Sequence, residues 1–287
     1  MRQFRFSKDP ALEKLRWVML AVMLAGIVLT LVSQPPSYWS HPDSAIRGDG
    51  LGLHNPTNHS FESLLGYGWP AYLACNAVYV AAALFLVSVL PRRLALVLLF
   101  TVTLGHIYAG TNWLAIRWHG GMLASPVYTL GIVLPLAAVV GQFGRQGLGL
   151  NRRLGCIAAA ALLVDMSCTL LGQPSSYWSN PNTAYEGNVV SRFFLVHGWG
   201  AFAAYDAFYA LGLFLLATKL PRGIGVAVGF FFAIVGFVGA SNWLFFVWRE
   251  GMAAVLAYAC LFSVVLVALA FEPMPQQAMA QSADSKA

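Results

Sequence analysis

Charge is what this chain has least of. Lys and Arg number 17 and Asp and Glu 11 in 287 residues, so 10% of the side chains are charged. Soluble domains average roughly a quarter, and the deficit excludes a water-soluble globular fold. The net charge of +6 falls in short clusters between apolar runs. That is the pattern of loops at a membrane face, and it argues against nucleic acid as a partner. Cysteine is scarcer still. Cys75, Cys156, Cys168 and Cys260 sit inside apolar runs without CxxC spacing, which excludes a disulfide framework and a cysteine-held metal. No GxxxxGK[ST], HExxH or GxSxG occurs, so neither ATP hydrolysis nor a familiar hydrolase centre is expected, and no cofactor or metal is implied.

What remains is 59% hydrophobic. Unbroken apolar runs lie near 17–33, 68–90, 94–115, 123–143, 154–172, 198–218, 223–244 and 252–270. Each is long enough to cross a hydrocarbon layer of ~30 Å. They are continuous and do not alternate over ten residues, so helices are implied and barrel strands are not. The expected fold is an all-α integral membrane protein with eight transmembrane helices. The basic start before Trp17 resembles a signal sequence, but a run corresponding to the one it precedes recurs in mid-chain. It reads as a first span.

The chain also repeats itself. QPPSYWS at Gln34–Ser40 returns as QPSSYWS at Gln173–Ser179. Tyr67–Tyr79 matches His197–Tyr209, Leu90–Arg93 matches Leu220–Gly223, and Thr111–Met122 matches Ser241–Met252. The offset is 139 for the first pair (173 − 34) and 130 for the others (242 − 112). The sequence therefore predicts a tandem duplication of a four-helix unit. Its parts are an N-terminal segment 1–16, a first repeat 17–143, a linker 144–153, a second repeat 154–271 and a disordered tail 272–287.

Lys and Arg set the orientation. Thirteen would lie on the side of the termini, and only Arg47, Arg117, Arg192 and Arg249 on the other. This predicts cytoplasmic termini in a plasma (inner) membrane. An even number of spans per unit gives both halves one orientation, so their pseudo-twofold axis would run along the membrane normal.

Within QPxSYWS, proline ends the preceding helix. Tyr38, Trp39, Tyr177 and Trp178, with Trp113 and Trp243, are expected as interface anchors. Gln34 and Gln173 are candidates for polar groups facing a shared outer vestibule. His41, His54 and His59 share the first loop with Asp43, Asp49 and Glu62, but their spacing fits no ligand set, and a solvated loop is expected. More telling are ionisable residues inside the spans. Asp165 lies ~10 Å below the outer end of its run, and Asp206 and His106 ~12 Å. Such a group costs about 2.5–3.5 kcal/mol in lipid on insertion scales and faces a protein interior. Small residues at helical spacing, Ala158, Ala161, Asp165, Thr169 and Gly172, and again Gly225, Gly229, Ala233, Gly236 and Ala240, predict close helix contacts. Asn76, Asn112 and Asn242 fall near the same depth. A polar site is thus expected in the outer half, with an ion pair between His106 and an aspartate as one hypothesis.

Repeat symmetry, acids within the spans and an outer vestibule together favour transport or binding of a small ligand or ion. The alternatives are a structural subunit of a membrane complex and a membrane-embedded enzyme open to the outer face. The partners expected are the lipid bilayer, the small ligand or ion, and a membrane-protein partner or a second copy.

Overall fold

The computed structural model describes residues 9–45, 61–114, 121–144, 149–248 and 251–271. His54, His59, Asp49, Arg47, Arg117, Arg249 and the tail from Glu272 lie outside them. The described residues contain eight helices long and apolar enough to cross a membrane. In order the helices are α1 (Pro10–Val32), α2 (Trp69–Val89), α3 (Arg92–Asn112), α4 (Gly121–Phe143), α5 (Gly149–Leu171), a short α6 (Val189–Val196), α7 (Trp199–Lys219), α8 (Arg222–Asn242) and α9 (Gly251–Ala270). The chain is a multi-pass membrane protein.

The helix ends follow from local chemistry. Asp9 caps α1, its Oδ1 accepting from Ala11 N at 2.8 Å, with Pro10 at the first helical position. The helix therefore starts at Pro10 and not at Trp17, and Lys14 and Arg16 ride on its first turns. Likewise α5 starts at Gly149, inside the stretch expected to be a linker. Leu90 and Leu220 turn extended before Pro91 and Pro221, and new helices begin at the next residues. A residue preceding proline is driven out of the helical region. Gly68 and Gly198 have φ of 96° and 105° just before α2 and α7, a conformation that side chains with a Cβ avoid. The short helix α6 was not legible as a separate apolar run.

Five basic side chains hold one end of the bundle together. Arg92 pairs with Asp9, and Lys14 donates to Gln142 Oε1 at 2.8 Å. Arg16 donates to the Val87 carbonyl, Arg222 to that of Gly141 and Arg153 to that of Leu269, at 3.2, 2.9 and 3.2 Å. Those carbonyls close α2, α4 and α9. They have no partner within their own helices and carry the negative end of the dipole. One end therefore gathers the starts of α1, α3, α5 and α8 with the ends of α2, α4 and α9. It is called the basic end here, and the other the loop end.

At the centre α3 packs on α9 and α1, while α8 packs on α5 and α4; α2 and α7 are peripheral. Glycine sets the α5–α8 distance. A Cβ on Gly229 would lie 2.9 Å from that of Leu154, and one on Gly236 2.7 Å from the carbonyl carbon of Ala161. Gly239 lies against the Asp165 carboxylate. Positions rise together along both helices, so α5 and α8 run parallel, and the small-residue stripes read from the sequence are this contact. Phe100 of α3 meets Phe230 of α8 with ring centroids 6.2 Å apart.

Replacing Gly236 by leucine is expected to force the two backbones apart, at the ~1–3 kcal/mol typical of overpacking. The measurement is a lowered thermal midpoint in detergent. Gly212→Ala, where a Cβ meets open space, should leave the midpoint unchanged or raised.

Candidate functional site

The two QPxSYWS segments turn the chain at the loop end. Each forms a short 3-10 turn, Pro36–Trp39 and Ser175–Trp178. Gln173 is buried and fully engaged: Nε2 donates to the carbonyls of Thr169 and Tyr185 at 3.0 and 2.9 Å, and Oε1 accepts from Tyr185 N at 2.8 Å. Gln34, equally buried, donates from Nε2 to the Thr30 carbonyl at 3.0 Å. Gln173 thereby ties the loop at Tyr185 to the end of α5, while Gln34 bonds back onto α1.

The anchor expectation is corrected for four of six aromatics. Tyr38 and Tyr177 are each 1% exposed and Trp113 and Trp243 7%, whereas Trp39 and Trp178 are 51% and 56% exposed. Only the last two can reach headgroups. The tyrosines point inward because their rings fill small cores with Leu65 and Leu195, and the Tyr177 hydroxyl donates to the Leu195 carbonyl at 3.2 Å. Trp243 is drawn inward over Gly172, just past the end of α5, where no side chain blocks it.

The ionisable residues separate into two places. His106 of α3 faces α1, with Nδ1 3.0 Å from where a Cβ on Gly26 would stand, and its ring stacks on Tyr79 at 5.8 Å. Asn76 spends its amide on the Tyr72 carbonyl at 2.8 Å. Asp165 faces away from that group, onto α8. The hypothesised His106–aspartate pair is not formed, because the two residues look toward different neighbouring helices.

Asp165 has other company. Asp206 of α7 and Glu186, from the loop before α6, lie within its electrostatic reach, and Glu186 within that of Asp206. Tyr258 of α9 and Cys168 adjoin Asp165, and Tyr205 and Tyr209 flank Asp206. Both aspartates are half-buried, and no basic side chain among the described residues is within ion-pair distance of either or of Glu186. Asn112 and Asn242 close α3 and α8, and the Asn242 Oδ1 is buried without a partner. No three His, Cys, Asp or Glu among the described residues are arranged to hold a metal. His41, from the first loop, has its Nδ1 2.9 Å from Ser40 Oγ.

Glu186 is the residue that sequence reasoning missed. Its signal was present: it is the sole acid between Asp165 and Asp206. Burial pushes its carboxyl above the ordinary 4.5, partly offset by N–H donation from Asn188 and Gly187; the Asn188 bond to Oε1 is 2.7 Å. A pKa raised on folding means that the protonated form is favoured in the folded state. Stability from this group is full below pH 4.5 and is lost as pH rises through the folded value.

Two outcomes are expected. Glu186→Gln should flatten the fall of the detergent thermal midpoint above pH 4.5 relative to the unaltered protein. Gln173→Leu should cost about 1–3 kcal/mol by leaving the Tyr185 backbone unpaired, seen as a lower midpoint and faster proteolysis of the loop.

Set against protein-family profiles, characterised proteins and solved structures, the chain matches none.

Proposed function

We propose that this protein binds a small cation, a proton or an ammonium ion, at Asp165, Glu186 and Asp206, and transports it. The reading rests on one observation: three carboxylates from separate elements near the loop end lie within electrostatic reach of one another, without a basic partner among the described residues. Like charges removed from water are tolerable only when a proton or another cation neutralises them. Stacked rings support the ammonium form. Phe194 and Tyr205 lie 4.2 Å apart, and Tyr209 continues the stack at 5.9 Å beside Asp206. Aromatic faces attract cations electrostatically.

The wider frame of this reading is a tandem four-helix repeat about a pseudo-twofold axis along the membrane normal. It has cytoplasmic termini and sits in the plasma (inner) membrane. Several contacts support the frame. Phe100 and Phe230, which touch, are separated by the repeat offset of 130 (230 − 100). Equivalent positions meet in this way on a twofold axis. The α3–α9 and α4–α8 contacts are reciprocal across the halves, and α1–α4 within the first half is matched by α5–α9 within the second. Placing the basic end in the cytoplasm satisfies the charge rule and puts the carboxylates toward the outer face.

The test is thermal stability in detergent with and without organic ammonium salts, across pH. A ligand at a hundred times its Kd stabilises by ~2.7 kcal/mol. That shift should vanish in Asp165→Asn and Asp206→Asn, and proteoliposomes of the unaltered protein should take up the stabilising ion. If no cation shifts the midpoint and both variants match the parent in stability and pH response, the carboxylates have no binding role. The chain would then be read as an assembly subunit.

A further inference from the structure

The short helix α6 is apolar on two sides. Its inner side is accounted for: Leu195 is fully buried and Phe194 stacks on Tyr205. Its outer side is not. Val189, Val190 and Phe193, adjacent at helical spacing, are 74%, 47% and 57% exposed. Eight residues reach ~12 Å, well short of a ~30 Å hydrocarbon layer. The helix is therefore too short to cross it. It ends just before Trp199, which opens the spanning helix α7 and is itself 60% exposed. Tryptophan at the end of a span marks the water–lipid boundary. The exposed apolar residues of α6 thus lie within ten residues of that boundary in the chain, and exposed Arg192 sits beside Phe193.

We infer that α6 is an interfacial helix whose outer face, Val189, Val190 and Phe193, rests in the leaflet at the loop end, with Arg192 on a phospholipid phosphate. Short amphipathic helices bind in the interface plane in this manner, apolar side toward the acyl chains and cations toward phosphate. The inference is independent of the carboxylate site, although α6 adjoins it. Asn188 caps the helix through Oδ1, accepting from Val190 N at 2.9 Å, and its own N–H holds Glu186.

The test is thiol accessibility in the full chain, reconstituted in phosphatidylcholine vesicles and treated with a charged, membrane-impermeant maleimide. The four native cysteines lie in the spans, and the unaltered protein sets the background. Ser179→Cys, on the exposed loop at the same end, is the water-facing reference. Phe193→Cys and Val189→Cys should label about tenfold more slowly than the reference, since a thiol in lipid forms little thiolate. Arg192→Cys should label at nearly the reference rate. Both replaced side chains are largely exposed, so loss of fold is not expected, and either variant alone decides the matter. Labelling of positions 193 and 189 at the reference rate overturns the inference. So does protection in native membranes that disappears in the purified vesicles, which would mean that a protein covers the face.

Discussion

Hydrocarbon supplies no hydrogen-bond partner, so each polar atom in these spans has to be satisfied by protein or kept at an edge. The structure follows from the ways this is met. Thr30, Ser88, Thr101, Thr103, Ser167 and Ser263 donate to carbonyls four residues back in their own helices, so they need no neighbour. Helix-closing carbonyls at the basic end, unsatisfied by geometry, receive Arg16, Arg153 and Arg222 from adjacent helices. The same bonds that satisfy the backbone thereby fix which helix ends lie together. With the ends fixed, glycine sets the depth of contact. Where α8 presents Gly229, Gly236 and Gly239, α5 comes close enough that Asp165 has a neighbouring backbone in place of lipid.

Against that background the second half stands out for its acids, Asp165, Glu186 and Asp206, which no basic side chain among the described residues pairs. In the proposed repeat, Asp165 would occupy the position of Gly26 by the offset of 139 (165 − 26), and Asp206 that of Asn76 by 130 (206 − 76). The loop segments PDSAIRGD and PNTAYEGN also correspond at 139, which sets Glu186 against Arg47. In the first half the polar group at this level is His106 on α3, accommodated by Gly26 on α1. In the second half it is Asp165 on α5, accommodated by Gly239 on α8. In the proposed repeat, large and small would have exchanged sides of the helix contact, with an imidazole in one half and a carboxyl in the other. Packing alone would be served by either arrangement with neutral residues, so the accumulation of acid on one side is what points to a cation.

Much of the fold was legible because its signals are local. Hydropathy shows where a span lies, Leu-Pro shows where one helix yields to the next, and glycine at helical spacing shows where two helices touch. The site was legible in part. Asp165 and Asp206 were visible because charge inside an apolar run is conspicuous in one dimension. The direction in which His106 faces depends on which helices pack beside α3, and no local signal carries that. Glu186 was overlooked for a similar reason: a loop acid looks solvated until the path of the loop is known. The aromatics misled more simply. Tyr38 and Trp39 are neighbours of similar character, yet the 3-10 turn sends one ring inward and the other out, and composition cannot distinguish them.

The loop before α6 connects these threads. Gln173 fixes Tyr185 to the end of α5, while Asn188 fixes the start of α6, and Glu186 lies between the two attachments. Its carboxylate accepts the Asn188 N–H, so the capping residue of α6 is also a partner of the acid. Displacing α6 would break this bond or drag Glu186 with it, changing the field at Asp165 and Asp206. Since like charges at short range in a medium of low polarity interact strongly, a small movement of that carboxylate would alter how readily its neighbours hold the proposed cation. The loop is therefore a mechanical as well as an electrostatic part of the site, and its position is set by the same need to satisfy backbone groups that fixes the helix ends.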